Sequence, residues 1–162
     1  MVFAHSDGVM GKLIRIGERL RFKRGSEWNH MAIVDRVEDG VSYVIQATLR
    51  GVTDTASLEE VAPGGRVRVQ PPPPGVSRAR ALEFARAQVG VEYGFGTILA
   101  IAIDILTWNW VPSFRGARKN SWICSALVME SLRFGGFLHN CPDIYTITPA
   151  QGDLVLASTE PR

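Results

Sequence analysis

Two strand-like runs, His30-Met-Ala-Ile-Val-Asp-Arg-Val37 and Val41-Ser-Tyr-Val-Ile-Gln-Ala-Thr48, flank the turn signal Glu38-Asp39-Gly40. Both are rich in β-branched residues, and together they predict a hairpin. Arg66-Val-Arg-Val-Gln70 alternates cleanly and predicts a half-exposed strand, after which Pro71–Pro74 form a stiff extended connector. Ser77 then caps a helix running to about Val89, with Leu82, Ala85 and Val89 on one face and Gly90 as its stop. A second helix is predicted between Asn120 and Gly136. Ile123, Leu127, Glu130 and Phe134 recur there at helical spacing as a mostly buried stripe, with Asn120 or Ser121 as N-cap and Gly135-Gly136 as the stop. Val9, Leu13, Ile16 and Leu20 mark a further amphipathic segment over residues 9–24. The run Thr97 to Trp110 is apolar, but it is too short to span a bilayer and Asp104 interrupts it, so it reads as a buried helix. The fold class expected is α+β: a small antiparallel sheet led by the His30 hairpin, with the Asn120–Gly136 helix packed on it.

Composition adds bounds. A chain of 162 residues, 46% apolar and 21% charged, is read as a single domain over 1–162 that can bury a sizeable core. The proline run is not a domain boundary, because too little chain lies on either side to close two cores. The net charge of +2 argues neither for nor against nucleic acid, and no nucleic-acid partner is expected. The 9–24 segment carries six basic residues against the single acid Glu18. Such a helix can touch an anionic membrane surface, although a solvated face over a buried stripe is the commoner role. Met1-Val-Phe-Ala-His-Ser-Asp-Gly8 lacks the basic start and long apolar run of a secretory signal, which points to a protein cytoplasmic as synthesised. No metal-ligand cluster, phosphate-cradling loop or Ser/His/Asp order is present, and no cofactor or metal is expected. The oligomeric state is not legible.

The chemistry concentrates at Cys124. A lone cysteine is most often a small buried hydrophobe. A thiol in the first turn of a helix, however, feels the positive end of the dipole, which favours the nucleophilic thiolate. Cys141, before Pro142 in a loop, reads as a free thiol without such help. Nucleophilic cysteine catalysis also needs a base. Of the three histidines, His5 lies near the chain start and His139 in a loop, whereas His30 opens a strand that holds it in place. The candidate to orient its ring is Gln46, and hairpin register decides whether it can. A two-residue Asp39-Gly40 loop sets Gln46 opposite Ile33, on the other face from His30. A three-residue loop with a glycine bulge sets His30 opposite Thr48 and makes Gln46 a same-face diagonal neighbour, about 7–8 Å away by Cα. The pair therefore predicts a bulged loop, with Thr48 the next residue to consider.

Asn29-His30-Met-Ala-Ile-Val34, Val44-Ile-Gln46-Ala47 with Gly51-Val52, Gly90-Val-Glu-Tyr93 and Trp122-Ile-Cys124-Ser-Ala-Leu-Val128, taken in this order, resemble the circularly permuted branch of the NlpC-type cell-wall peptidases. That branch includes relatives of lecithin:retinol acyltransferase. The likeness runs from about His30 to Phe137, and Ile147 to Leu154 resembles the closing segment. The resemblance implies a papain-like fold in which the histidine strand precedes the cysteine helix, with Cys124 as nucleophile, His30 as base and Gln46 as the polar third member. Relatives often carry an acid or a second histidine at that third place; glutamine can hold the imidazole but adds no charge. The implied activity is cleavage of an amide bond through a thioester acyl-enzyme, with a peptidoglycan stem peptide as substrate. A cell-wall enzyme without a signal would be phage-encoded or exported by another route.

Two other functions stay open at this level. The apolar 97–110 run and the basic 9–24 segment suit a lipid-directed acyltransferase or thioesterase. The uncharged Gln46 suits a binding module that keeps the fold without the reaction.

Overall fold

The computed structural model describes residues 1–5, 27–94, 121–137 and 147–158, with the single positions 12, 16 and 19. It is a mixed α+β structure built on a five-stranded antiparallel sheet. The strands are β1 (Val2–His5), β2 (His30–Glu38), β3 (Val41–Thr48), β4 (Gly51–Ser57) and β5 (Arg66–Val69), in the spatial order β4-β3-β2-β1-β5. A short helix, α1 (Leu58–Val61), follows β4 and starts with a capping box between Ser57 and Glu60. Three further helices, α2 (Arg78–Ala87), α3 (Cys124–Phe134) and α4 (Pro149–Ala157), complete the described elements with a two-stranded parallel pair, β6 (Glu92–Tyr93) and β7 (Ser121–Trp122).

Alternation along the central strands divides the apolar residues between two clusters. Phe3, Met31, Ile33, Ile45 and Ala47 join Leu127, Val128, Met129 and Leu132 of α3 in the main core. Val2, Ala4, Ala32 and Val44 meet Val61 and Ala62 in a smaller one. The sheet is thus apolar on both sides, and its central strands read as nearly continuous hydrophobic runs. Val2–His5 lies between β2 and β5, with Val2, Phe3 and Ala4 fully buried.

The hairpin departs from the expected loop. Its turn is the tight Asp39-Gly40 form, with φ +50° and +81° at the two positions, the left-handed pair a two-residue turn requires. Glu38 pairs with Val41 and Arg36 with Tyr43, after which the register shifts and Val34 pairs with Val44 and Ile33 with Ile45. The extra residue is therefore in the strand, at Asp35, rather than in the turn. Past this bulge β2 has the register that the three-residue loop was expected to give.

Helix α2 begins at its Ser77 cap but ends at Ala87, and Val89 is exposed. It braces α3 along its length. Ser77 N–H donates to the carbonyl of Gly135 (2.8 Å), and Phe84 stacks on Phe134 and meets Trp122 edge-on. Phe134, expected in the buried stripe, is about half exposed because this ring contact covers only one of its sides. Glu130 does lie in the stripe, buried and paired with Arg133 one turn on. Of the basic 9–24 segment only positions 12, 16 and 19 are described, all helical and exposed. The 97–110 run, His139 and Cys141 lie outside the described residues. No helix among the described residues is long and apolar enough to cross a membrane.

Candidate active site

Cys124 is the first residue of α3. The N-cap is Ile123, which has no side chain to offer the free amides, and Ser121 belongs to β7. The expectation of a capping Asn120 or Ser121 therefore fails, and the reason is visible in the chain path. Parallel pairing of β6 with β7, completed by Gly94 N–H on the carbonyl of Trp122 (3.0 Å), keeps the backbone extended up to Ile123. The helix thus opens abruptly at the thiol, which puts Cys124 in the turn where the positive end of the dipole lies.

The Cys124 side chain is hydrogen-bonded to that of His30 and receives the backbone amides of Met31 and Ser125. Burial by itself raises a thiol pKa. The imidazolium beside it, that hydrogen bond and the two amides outweigh burial, and the Cys124 pKa is lowered. His30 shows the converse. Burial pulls it down, but the negative sulfur, its hydrogen bond and the contact with Gln46 prevail, and its pKa is raised. The two residues thus favour an ion pair of thiolate and imidazolium.

Gln46 lies on β3, buried, with Oε1 2.7 Å from Nε2 of His30. An amide oxygen only accepts, so Nε2 carries the hydrogen and donates it. That leaves Nδ1 as the nitrogen facing Cys124. The three residues named from the sequence are therefore brought into one hydrogen-bonded line, on a strand start, a strand interior and a helix start. Thr48, the next candidate, is engaged elsewhere: its hydroxyl lies 3.4 Å from the carbonyl of Gly51.

No protein-family model, curated protein or solved structure matches this chain.

Tyr93, on β6, is close enough to feel the sulfur. Its burial, and then the negative Cys124, raise the phenol pKa, so it stays protonated and able to donate. Ser125 fixes the helix start from the other side: its hydroxyl donates to the carbonyl of Ile147 at 2.5 Å in a fully buried contact. Thr148 and Gln151 then form the capping box that starts α4. Gly152 in that helix sits against the sulfur of Met31, where a Cβ would come within 2.8 Å. The closing segment thus packs on both neighbours of the pair, Ser125 and Met31.

Sequence reasoning missed Asp35 and the Met31 amide. Asp35 left a signal, a charged pair Asp35-Arg36 where the apolar alternation of β2 breaks. The Met31 amide left none, since every residue but proline has one. Among the described residues no cluster of three His, Cys, Asp or Glu side chains could hold a metal ion.

Proposed function

We propose that this chain is a cysteine hydrolase of permuted papain-like fold that cleaves an amide bond, with a peptidoglycan stem peptide as the substrate class. The observation that carries the proposal is the line Gln46–His30–Cys124, with the thiol on the first residue of a helix and its charge partnered by an imidazolium. The order of the elements, histidine strand before cysteine helix, agrees with the permuted arrangement.

In this reading the thiolate attacks the carbonyl carbon and the C–S bond forms as the carbonyl π electrons move to oxygen. The backbone N–H of Cys124, in the first turn of α3, donates to that oxyanion, and the Tyr93 hydroxyl is the candidate for a second contact. Collapse expels the amine, which takes the proton held on Nδ1 of His30, and leaves a thioester. Neutral His30 then draws a proton from water, hydroxide adds to the thioester, and the carboxylic acid leaves as Cys124 recovers its thiolate and His30 its proton. Gln46 keeps Nε2 as the donor nitrogen throughout, so Nδ1 is always the one that exchanges the proton.

The test is a turnover screen of muropeptides against phospholipids, with Cys124→Ala as control and mass spectrometry for an acyl adduct on Cys124. Muropeptide cleavage lost in Cys124→Ala supports the reading. Phospholipid turnover would instead assign a lipid-directed acyltransferase or thioesterase. No adduct and no turnover from either class would leave a binding module.

A further inference from the structure

The bulge in β2 is tied to the helix that braces the nucleophile. Asp35, the extra residue, is a charged side chain only 5% exposed, directly after the apolar run Met31–Val34 of β2. Each of its carboxylate oxygens is taken by a guanidinium: Oδ1 by Nε of Arg86 on α2 at 2.6 Å, Oδ2 by Nη1 of Arg36 at 3.0 Å. Arg36 is shared, since it also donates to Glu38 (2.9 Å) and to the carbonyl of Asp54 (3.1 Å), and it lies over the Tyr43 ring. Arg86 is the partner that reaches Asp35 from another element.

The same helix holds α3 at both ends. Gln88 accepts from the indole N–H of Trp122 at 2.9 Å, two residues before Cys124, and Ser77 bonds Gly135 just past the end of α3. Arg86 lies one turn of α2 or less from both Phe84 and Gln88. One rigid element therefore grips the strand that carries His30 and the helix that carries Cys124.

We propose that Asp35 and Arg86 are positioning residues that set the distance and aim of His30 toward Cys124, a role that rests on the reactive Cys124–His30 pair of the reading above rather than on its substrate. A bulge bends its strand and increases its twist, so the direction of His30–Val34 depends on how the bulge is held. A charge buried this far needs its partner, and removing either one releases the bulge from α2. A merely stabilising ion pair would lower the unfolding midpoint and leave the reactive pair as it was.

The experiment is iodoacetamide alkylation of Cys124, read by peptide mass spectrometry from about pH 5 to 8, at whose acid end an ordinary thiol is almost wholly protonated. It compares the full chain with Asp35→Asn, Arg86→Gln and Arg86→Lys. The rate at the acid end is expected to fall at least about twofold in Asp35→Asn and Arg86→Gln, the lower bound for groups coupled through a shared contact. Arg86→Lys should recover part of it, and circular dichroism should be unchanged. Wild-type rates at every pH in a folded Arg86→Gln would overturn the proposal, whatever happens to the midpoint. Arg86 is 56% exposed, so that variant decides the matter even if Asp35→Asn does not fold. A full chain without acid-side reactivity would sink the Cys124–His30 pair and this proposal together. Loss of reactivity in the variants without turnover of any substrate would leave the positioning role standing and the hydrolase reading overturned.

Discussion

Gln46 meets His30 at 2.7 Å although the turn between their strands, taken alone, sends them to opposite faces. The Asp39-Gly40 turn and the Asp35 bulge are therefore a matched pair. Either one without the other places the Gln46 amide away from the imidazole.

The first prediction concerns that contact. Gln46→Ala should leave the fold intact and lower turnover by about 10- to 100-fold, because an imidazole free to choose its tautomer presents the wrong nitrogen part of the time. Gln46→Glu should raise the His30 pKa further by setting a negative charge beside imidazolium. Steady-state kinetics with circular dichroism check both, and unchanged kinetics in the two variants would assign Gln46 to packing.

The second follows from the directions of the two shifts. Activity needs thiolate and imidazolium together, so it should rise with pH through the lowered Cys124 pKa and fall again through the raised His30 pKa. The profile is a bell whose acid limb belongs to the pair as it gains the thiolate and whose alkaline limb belongs to the loss of imidazolium. His30→Ala should abolish the acid-side reactivity of Cys124 toward iodoacetamide and move its alkylation toward that of an ordinary thiol. Gln46→Glu should carry the alkaline limb upward. A profile that rises monotonically like a simple thiol would contradict the ion pair.

Much of this site was legible before the fold was known, and the reasons are local. A thiol at a helix start and a histidine at a strand mouth are marked by periodicity and by the glycines that end each element. What was not legible depends on contacts far along the chain. The bulge at Asp35 is held by Arg86, 51 residues away, and no turn chemistry reports it. β1 is four residues long, too short for a pattern, and it is a strand only because β2 and β5 flank it. β6 and β7 have two residues each, yet they decide that α3 begins at Cys124 and not earlier.

A third prediction separates stability from reactivity. In Ser125→Ala the buried carbonyl of Ile147 loses its hydroxyl donor, at a cost of about 1–3 kcal/mol. The backbone amide that Cys124 uses is unchanged by the substitution. Chemical denaturation should show the loss, while the pH dependence of Cys124 alkylation stays near that of the full chain. A large change in that pH dependence would mean that the hydroxyl helps aim the helix start.

The last prediction tests the far end of β3. Gly51 opens β4 at φ +100°, a backbone conformation that side chains rarely adopt, and a Cβ there would lie 2.7 Å from the carbonyl oxygen of Val91. That carbonyl cannot retreat freely, because it accepts from Val52 N–H at 2.9 Å while Gly90 N–H donates to the carbonyl of Val52 at 2.9 Å. Gly51→Ala should therefore cost about 1–3 kcal/mol through backbone strain. The effect should also reach the site. Gly51 pairs with Thr48 and Thr53 with Gln46, so a displaced β4 start loosens the strand that carries the glutamine. The segment from Gly90 leads directly into Tyr93, so the same displacement moves the phenol near Cys124. Denaturation midpoints and turnover should fall together in Gly51→Ala. Full stability in that variant would show that residues 90–91 yield to the added methyl, and the link from this turn to the site would be lost.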